Sequence, residues 1–225
     1  EKKVKEAIDY GLSVSTISVV NNELIKDSPE EILDYLSELG VEEASFLPFM
    51  LNEQNKDESY EKFAPPMNTY SEFMIRLTEA WYSKKERGEH VPFIGQMSYI
   101  VFRKDLPPGA NLPRQTMFLM PEGDFVLPDY KDGYLEFMKP FGNIFEQSFE
   151  EVLSSKSRRD YIRRQVTRNH NPECVKCEFR NCCIMEFWKE NRPGDDCFGA
   201  KKYVQWLIEN EEKREGLLGE NPILF

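Results

Sequence analysis

Residues 12–49 read LSVSTISVVNNELIKDSPEEILDYLSELGVEEASFLPF, and this stretch decides the fold class. Leu12–Val20 is apolar and β-branched and stops at Asn21-Asn22, the pattern of a strand followed by a turn. Ser28-Pro29-Glu30-Glu31 opens a helix: the serine can cap, proline suits the first helical position, and Glu31 stands three residues after the cap. Ile32, Leu36 and Leu39 supply its apolar stripe, Gly40 ends it, and Ala44–Phe49 is the next strand. Upstream, Val4, Ala7 and Ile8 predict a helix with a buried stripe, stopped at Gly11. The order αβαβ implies parallel strands joined by right-handed crossovers. Two parallel strands do not stand alone, because such sheets are covered on both faces, so the stretch is expected to be part of a larger α/β sheet or barrel.

Outward from that stretch, residues 51–68 are polar and contain Pro65-Pro66, a loop over the strand ends. Tyr70, Phe73, Met74, Leu77 and Trp81 mark an amphipathic helix that closes near Gly88. The Pro/Gly-rich DLPPGANLP at 105–113 predicts a boundary between one domain over 1–104 and another over 105–225. In the second, Gln115–Met120 and Phe125–Leu127 flank Pro121-Glu122-Gly123-Asp124, a hairpin. Ser148-Phe149-Glu150-Glu151 is a capping box, read as starting a helix through Arg168, and a last helix covers Gly199–Arg214.

Composition narrows the functions. Twenty-nine Lys+Arg against 40 Asp+Glu give a net charge of −11, which argues against nucleic acid or an anionic membrane as the main partner. No apolar run reaches the roughly 18–20 residues of a membrane helix and no secretory signal opens the chain, so a soluble, cytoplasmic protein is expected.

All five cysteines fall between Cys174 and Cys197. Cys174-x2-Cys177 puts two thiolates on one turn, Cys183 follows, and Cys197 returns after Arg192-Pro193-Gly194-Asp195. Four sulfurs from two segments suit a tetrahedral Zn2+ or an iron–sulfur cube, and the spacing tolerates both. Cys182 reads as a small buried hydrophobe and His170 as a surface imidazole, each a spare ligand at most. The basic run Lys156, Arg158, Arg159, Arg163, Arg164 and Arg168 reads first as a solvated helix face, or else as a grip for an acidic group.

The αβαβ opening, the Gly123 hairpin, Phe141-Gly142-Asn143-Ile144 leading into Ser148–Leu153, and then Cys-x2-Cys-x5-Cys with a later cysteine together resemble the C-terminal half of radical S-adenosylmethionine enzymes carrying a SPASM extension. That family includes anaerobic sulfatase-maturating enzymes and peptide maturases. The resemblance implies the second half of a partial (β/α)6 TIM-like barrel, with the two strands as its fifth and sixth, followed by a small α+β SPASM-like domain. It implies that Cys174, Cys177, Cys183 and Cys197 hold one auxiliary [4Fe–4S] cluster, and it puts iron–sulfur ahead of zinc. The cysteines of a second cluster are absent as a set: the hairpin position falls on Pro128, a later one on Phe187, and none occurs from Glu1 to Glu173.

The family's Cys-x3-Cys-x2-Cys loop does not occur here, so the chain resembles a C-terminal fragment whose N-terminal barrel half, in the same polypeptide or a separate chain, would be a partner. Alone it is expected to be inactive. Residues at the C-terminal ends of barrel strands face the active site, which nominates Val20, Asn21, Leu47 and Phe49 to contact S-adenosylmethionine. Asn21-Asn22 reads equally as a turn and Phe49 as core, and no residue is singled out as catalytic. A peptide or small-molecule substrate and an electron donor such as flavodoxin or ferredoxin complete the implied partners. The alternative is a non-catalytic binding scaffold stabilised by zinc or by a cluster.

Overall fold

In the computed structural model the described residues are 1–49, 58–97, 117–126, 140–167, 176–179, 197 and 200–218, and elements are numbered over these. α1 (Lys2–Asp9), β1 (Ser15–Val20), α2 (Pro29–Glu38), β2 (Glu43–Pro48), α3 (Glu58–Phe63), α4 (Met67–Glu86) and β3 (Phe93–Ile94) make the first part. β4 (Phe118–Leu119), β5 (Asp124–Val126), β6 (Gly142–Asn143), α5 (Phe149–Ser154), α6 (Lys156–Thr167), α7 (Lys201–Glu209) and α8 (Glu211–Leu218) follow.

The first sheet is parallel, in the order β1-β2-β3. β1 and β2 pair from Ser15↔Glu43 to Val20↔Pro48, and Glu43–Ala44 pair with β3. β1 begins later than the apolar run suggests because Leu12 still belongs to the helix end. Gly11 takes φ +80°, its N–H reaches Ile8 C=O at 2.8 Å, and Leu12 N–H reaches Ala7 C=O at 3.1 Å. Gly40 closes α2 in the same way, with Gly40 N–H on Ser37 C=O and Val41 N–H on Leu36 C=O. Each helix is therefore turned directly into a strand.

One face of the sheet is covered by α2 and α4. Val20, Leu33, Ala44, Phe46, Phe73, Met74 and Ile94 lie within 1% exposure in this core. The stripe of α2 is rotated from the predicted one: Leu33 and Leu36 are buried while Ile32 and Leu39 are only partly so. In α1 the predicted stripe is half-buried, and none of its residues is fully buried. The predicted apolar residues of α4 are all buried, and the helix extends from Met67 to Glu86 because α7 packs along its far side and buries Tyr82 as well. The other face of the sheet shows Ile17 (72% exposed) and Val19 (49% exposed).

The second sheet is antiparallel, β4-β5-β6. Its hairpin turns at Gly123, φ +86°, with Gly123 N–H on Met120 C=O and Met120 N–H on Asp124 C=O, both 2.9 Å. The strand formed by Gly142–Asn143 was not foreseen. It is pinned by Asn143, whose Nδ2 donates to Asp124 Oδ1 at 2.7 Å. Phe125, Phe141 and Val152 form a separate small core.

Two predicted helices are each broken in two. Ser155 (ψ 146°) interrupts the first; its Oγ accepts from Arg158 N–H at 3.1 Å, starting α6. Asn210 interrupts the last, its Nδ2 donating to Trp206 C=O at 2.8 Å. The predicted boundary at 104/105 lies outside the described residues.

Candidate functional site

The C-terminal ends of β1 and β2 bring the four nominated contact residues to one place. Strand alternation then sorts them. Val20 is 0% exposed in the helix-side core, so only its backbone is offered at the strand end. Val19 points to the opposite face, opposite Leu47 in register. Leu47 is half-buried there, while its neighbours Phe46 and Pro48 are buried on the helix side. Sequence reading missed Val19 because the strand ends on two adjacent valines, Val19 and Val20, whose identical side chains do not tell which faces which side.

Asn21 forms the turn that sequence reading held open. Its Oδ1 accepts from Glu23 N–H at 3.0 Å and Leu24 N–H at 2.9 Å, capping the 3-10 turn Leu24–Lys26. Asn22 ties this joint to α3, its N–H on Phe63 C=O at 2.9 Å and its Nδ2 on Lys62 C=O at 2.8 Å. Phe49 lies against Phe63, ring centroids 6.3 Å apart and tilted by 31°. α3 thus closes over the ends of both strands.

Beside this joint β2 outruns β3. After Ala44 the partner strand turns into a 3-10 segment (Gly95–Met97), and the backbone of Phe46 is taken over by side chains. Gln96 Oε1 accepts from Phe46 N–H at 3.0 Å, and Tyr70 O–H donates to Phe46 C=O at 2.8 Å. Gln96 is 0% exposed and its Nε2 has no partner. Pro48, two residues on, has no N–H to satisfy. Among the described residues, these side chains rather than another strand seal this end of the sheet.

Of the proposed metal ligands, Cys177 and Cys197 are described: both are half-buried and neither forms a disulfide. Phe179, just beyond Cys177, packs against the main core, and Ala200, just beyond Cys197, is buried in it. Thus two cysteine-bearing segments are anchored to one core, and their soft thiol ligands suit iron–sulfur or zinc. Cys174 and Cys183 lie outside the described residues, as do Cys182 and His170; among the described residues no three metal-binding side chains come together. The described part of the basic run is spent locally. Lys156 and Arg163 pair with Asp160 at 2.8 and 3.6 Å, and Arg158 and Arg159 donate to the last carbonyls of α5.

Residues 111–183 match the family model of SPASM, an iron-sulfur cluster-binding domain, which covers about a third of the chain and includes Cys174, Cys177 and Cys183. No curated protein matches in sequence. Among solved structures, native anSMEcpe with bound AdoMet and Cp18Cys peptide matches with TM-score 0.65 at 15% identity, over 95% of this chain and 62% of that one. Native anSMEcpe with AdoMet alone gives TM-score 0.62, and with the Kp18Cys peptide 0.60, each at 15% identity. The chain spans about 60% of the length of these structures. The resemblance read from the sequence, to radical S-adenosylmethionine enzymes with a SPASM extension, is met by the matched domain and by the fold. Among the described residues no helix is long and apolar enough to cross a membrane.

Proposed function

We propose that this chain is the cluster-bearing part of a radical S-adenosylmethionine/SPASM enzyme that modifies a peptide. The observation that carries this reading is the cysteine set Cys174, Cys177, Cys183 and Cys197, whose first three members fall inside the matched iron-sulfur cluster-binding domain. The peptide and AdoMet bound by the anSMEcpe structures support the substrate class and the nucleotide cofactor. The four thiolates would hold one auxiliary [4Fe–4S] cluster, with no iron left open for substrate. That cluster supplies electron relay or structural support when bound, and S-adenosylmethionine supplies a carbon radical for hydrogen abstraction.

The chain's own residues contribute a wall and its fixings. Val19 and Leu47 offer an apolar surface beside the strand ends, where Phe49 adds an aromatic ring. Asn21 has its side-chain oxygen committed to the turn and so fixes the joint after β1, and any contact it made with a ligand would have to come from its side-chain N–H groups. Gln96 and Tyr70 hold β2 in place from the other side. The remaining barrel strands, in the same polypeptide or a separate chain, would cover the face on which Ile17 and Val19 are exposed. The reading is tested by combining this chain with a barrel half that carries a Cys-x3-Cys-x2-Cys loop, then adding S-adenosylmethionine, a strong reductant and a cysteine-containing peptide. Formation of 5′-deoxyadenosine that depends on this chain is expected; its absence with an intact auxiliary cluster would leave a non-catalytic scaffold.

A further inference from the structure

Helix α8 carries Arg214 into the main core, where it is 0% exposed. Its Nε and Nη1 have no hydrogen-bond partner, and Nη2 reaches Glu211 Oε1 only at 3.4 Å. Tyr82 of α4 is 1% exposed and its hydroxyl is also without a partner. The two groups sit on helices packed together, with Lys213, the neighbour of Arg214, 5.2 Å from the centre of the Tyr82 ring; burial raises the Tyr82 phenol and the Arg214 charge opposes that rise. Burial also raises the Tyr203 phenol, and Arg214 opposes this too, but the Tyr203 hydroxyl is satisfied by Thr78 Oγ1 at 2.9 Å. Trp206 walls the region, stacked on Tyr82 at 5.8 Å and on Tyr203 at 6.5 Å. The neighbouring Lys213 is compensated by Glu86 at 2.8 Å and lies over the Tyr82 ring.

What is missing here is an acceptor. Guanidinium nitrogens only donate, and a buried cation with one long contact retains most of its desolvation cost. A water would offer lone pairs but no charge, whereas an anion supplies both. The near-complete closure of both residues limits its size. We propose that Arg214 and the Tyr82 hydroxyl form a buried site for one small monovalent anion, of halide or formate size, between α4 and the α7–α8 pair.

The whole chain tests this with bromide as the probe, exchanged for isethionate at constant ionic strength. The melting temperature is expected to rise saturably, by about 3–6 °C at ten times the dissociation constant. Trp206 fluorescence is expected to be quenched with the same saturation. Tyr82→Phe keeps the ring stack and is expected to weaken binding by about tenfold. Arg214→Met is expected to abolish the response; should it fail to fold, Arg214→Lys, with fewer donors, gives a weakened one. Equal melting temperatures in bromide and isethionate would overturn the site in favour of a water or nothing. An undiminished rise in both the Tyr82→Phe and Arg214 variants would overturn it as a bulk salt effect.

Discussion

Replacing Gln96 by leucine removes the side-chain acceptor that takes the Phe46 N–H where its pairing with β3 has ended. The Phe46 N–H, 3.0 Å from Gln96 Oε1, lies in a residue 1% exposed, so water does not replace the bond. A stranded buried amide costs about 1–3 kcal/mol. Part of this is offset, because leucine also removes the unpartnered Nε2 and fills similar space. The net expectation is a loss of about 1–2 kcal/mol, or about 2–8 °C in melting temperature for a chain of this size. Tyr70→Phe removes the bond to the Phe46 carbonyl and is expected to cost about 1 kcal/mol. Since both side chains hold one residue, the double variant should depart from additivity by about 0.5 kcal/mol or more. Denaturant melts give the energies, and hydrogen exchange reads the Phe46 amide directly. Unchanged stability and unchanged protection of that amide in Gln96→Leu would refute the idea that a side chain terminates the sheet.

Three further perturbations probe other joints. At Gly142 an added methyl would sit 2.8 Å from Val152 Cγ2 and 2.9 Å from Gln147 Oε1, so Gly142→Ala should destabilise the small core by about 1–3 kcal/mol, seen as faster proteolysis between β5 and α5. Lys84, 5% exposed, is bound by Asp34 at 2.6 Å and Glu89 at 3.3 Å, and the Asp34 bond above all raises its pKa. A raised lysine contributes stability below its ordinary 10.5 and loses it as pH climbs through the shifted value, so the gap between wild type and Lys84→Met in denaturant melts should narrow above that pH. Glu151 is lowered, first by the Ser148 N–H and then by its hydroxyl, so its contribution is present above 4.5 and lost as pH falls through the depressed value. Circular dichroism in acid should therefore show a smaller pH-dependent loss of α5 in Glu151→Gln than in wild type.

Much of the fold was legible because local chemistry and tertiary packing agree. Ser28 and Ser148 cap where expected, and Gly11 and Gly40 turn helix into strand. Errors arose where one signal served two ends. The apolar run from Leu12 includes residues used by a helix cap, and the two valines at the end of β1 give no face preference until the register with β2 is known. Ser155 and Asn210 break helices with polar side chains that also occur within helices, a local competition that apolar spacing does not reveal. Gln96 carried no signal at all, since its role depends on where β3 stops relative to β2, fifty residues earlier in the chain. The cysteine spacing suggested a metal, yet two thiolate spacings fit zinc and iron–sulfur alike, so the cluster rests on family resemblance and on the matched domain.

The cluster itself is open to direct measurement. Protein isolated without oxygen should contain about four iron and four sulfide per chain. Serine in place of Cys174, Cys177, Cys183 or Cys197 should sharply lower both, while Cys182→Ser leaves them intact. A colourless protein with a single zinc and no labile sulfide would contradict the account.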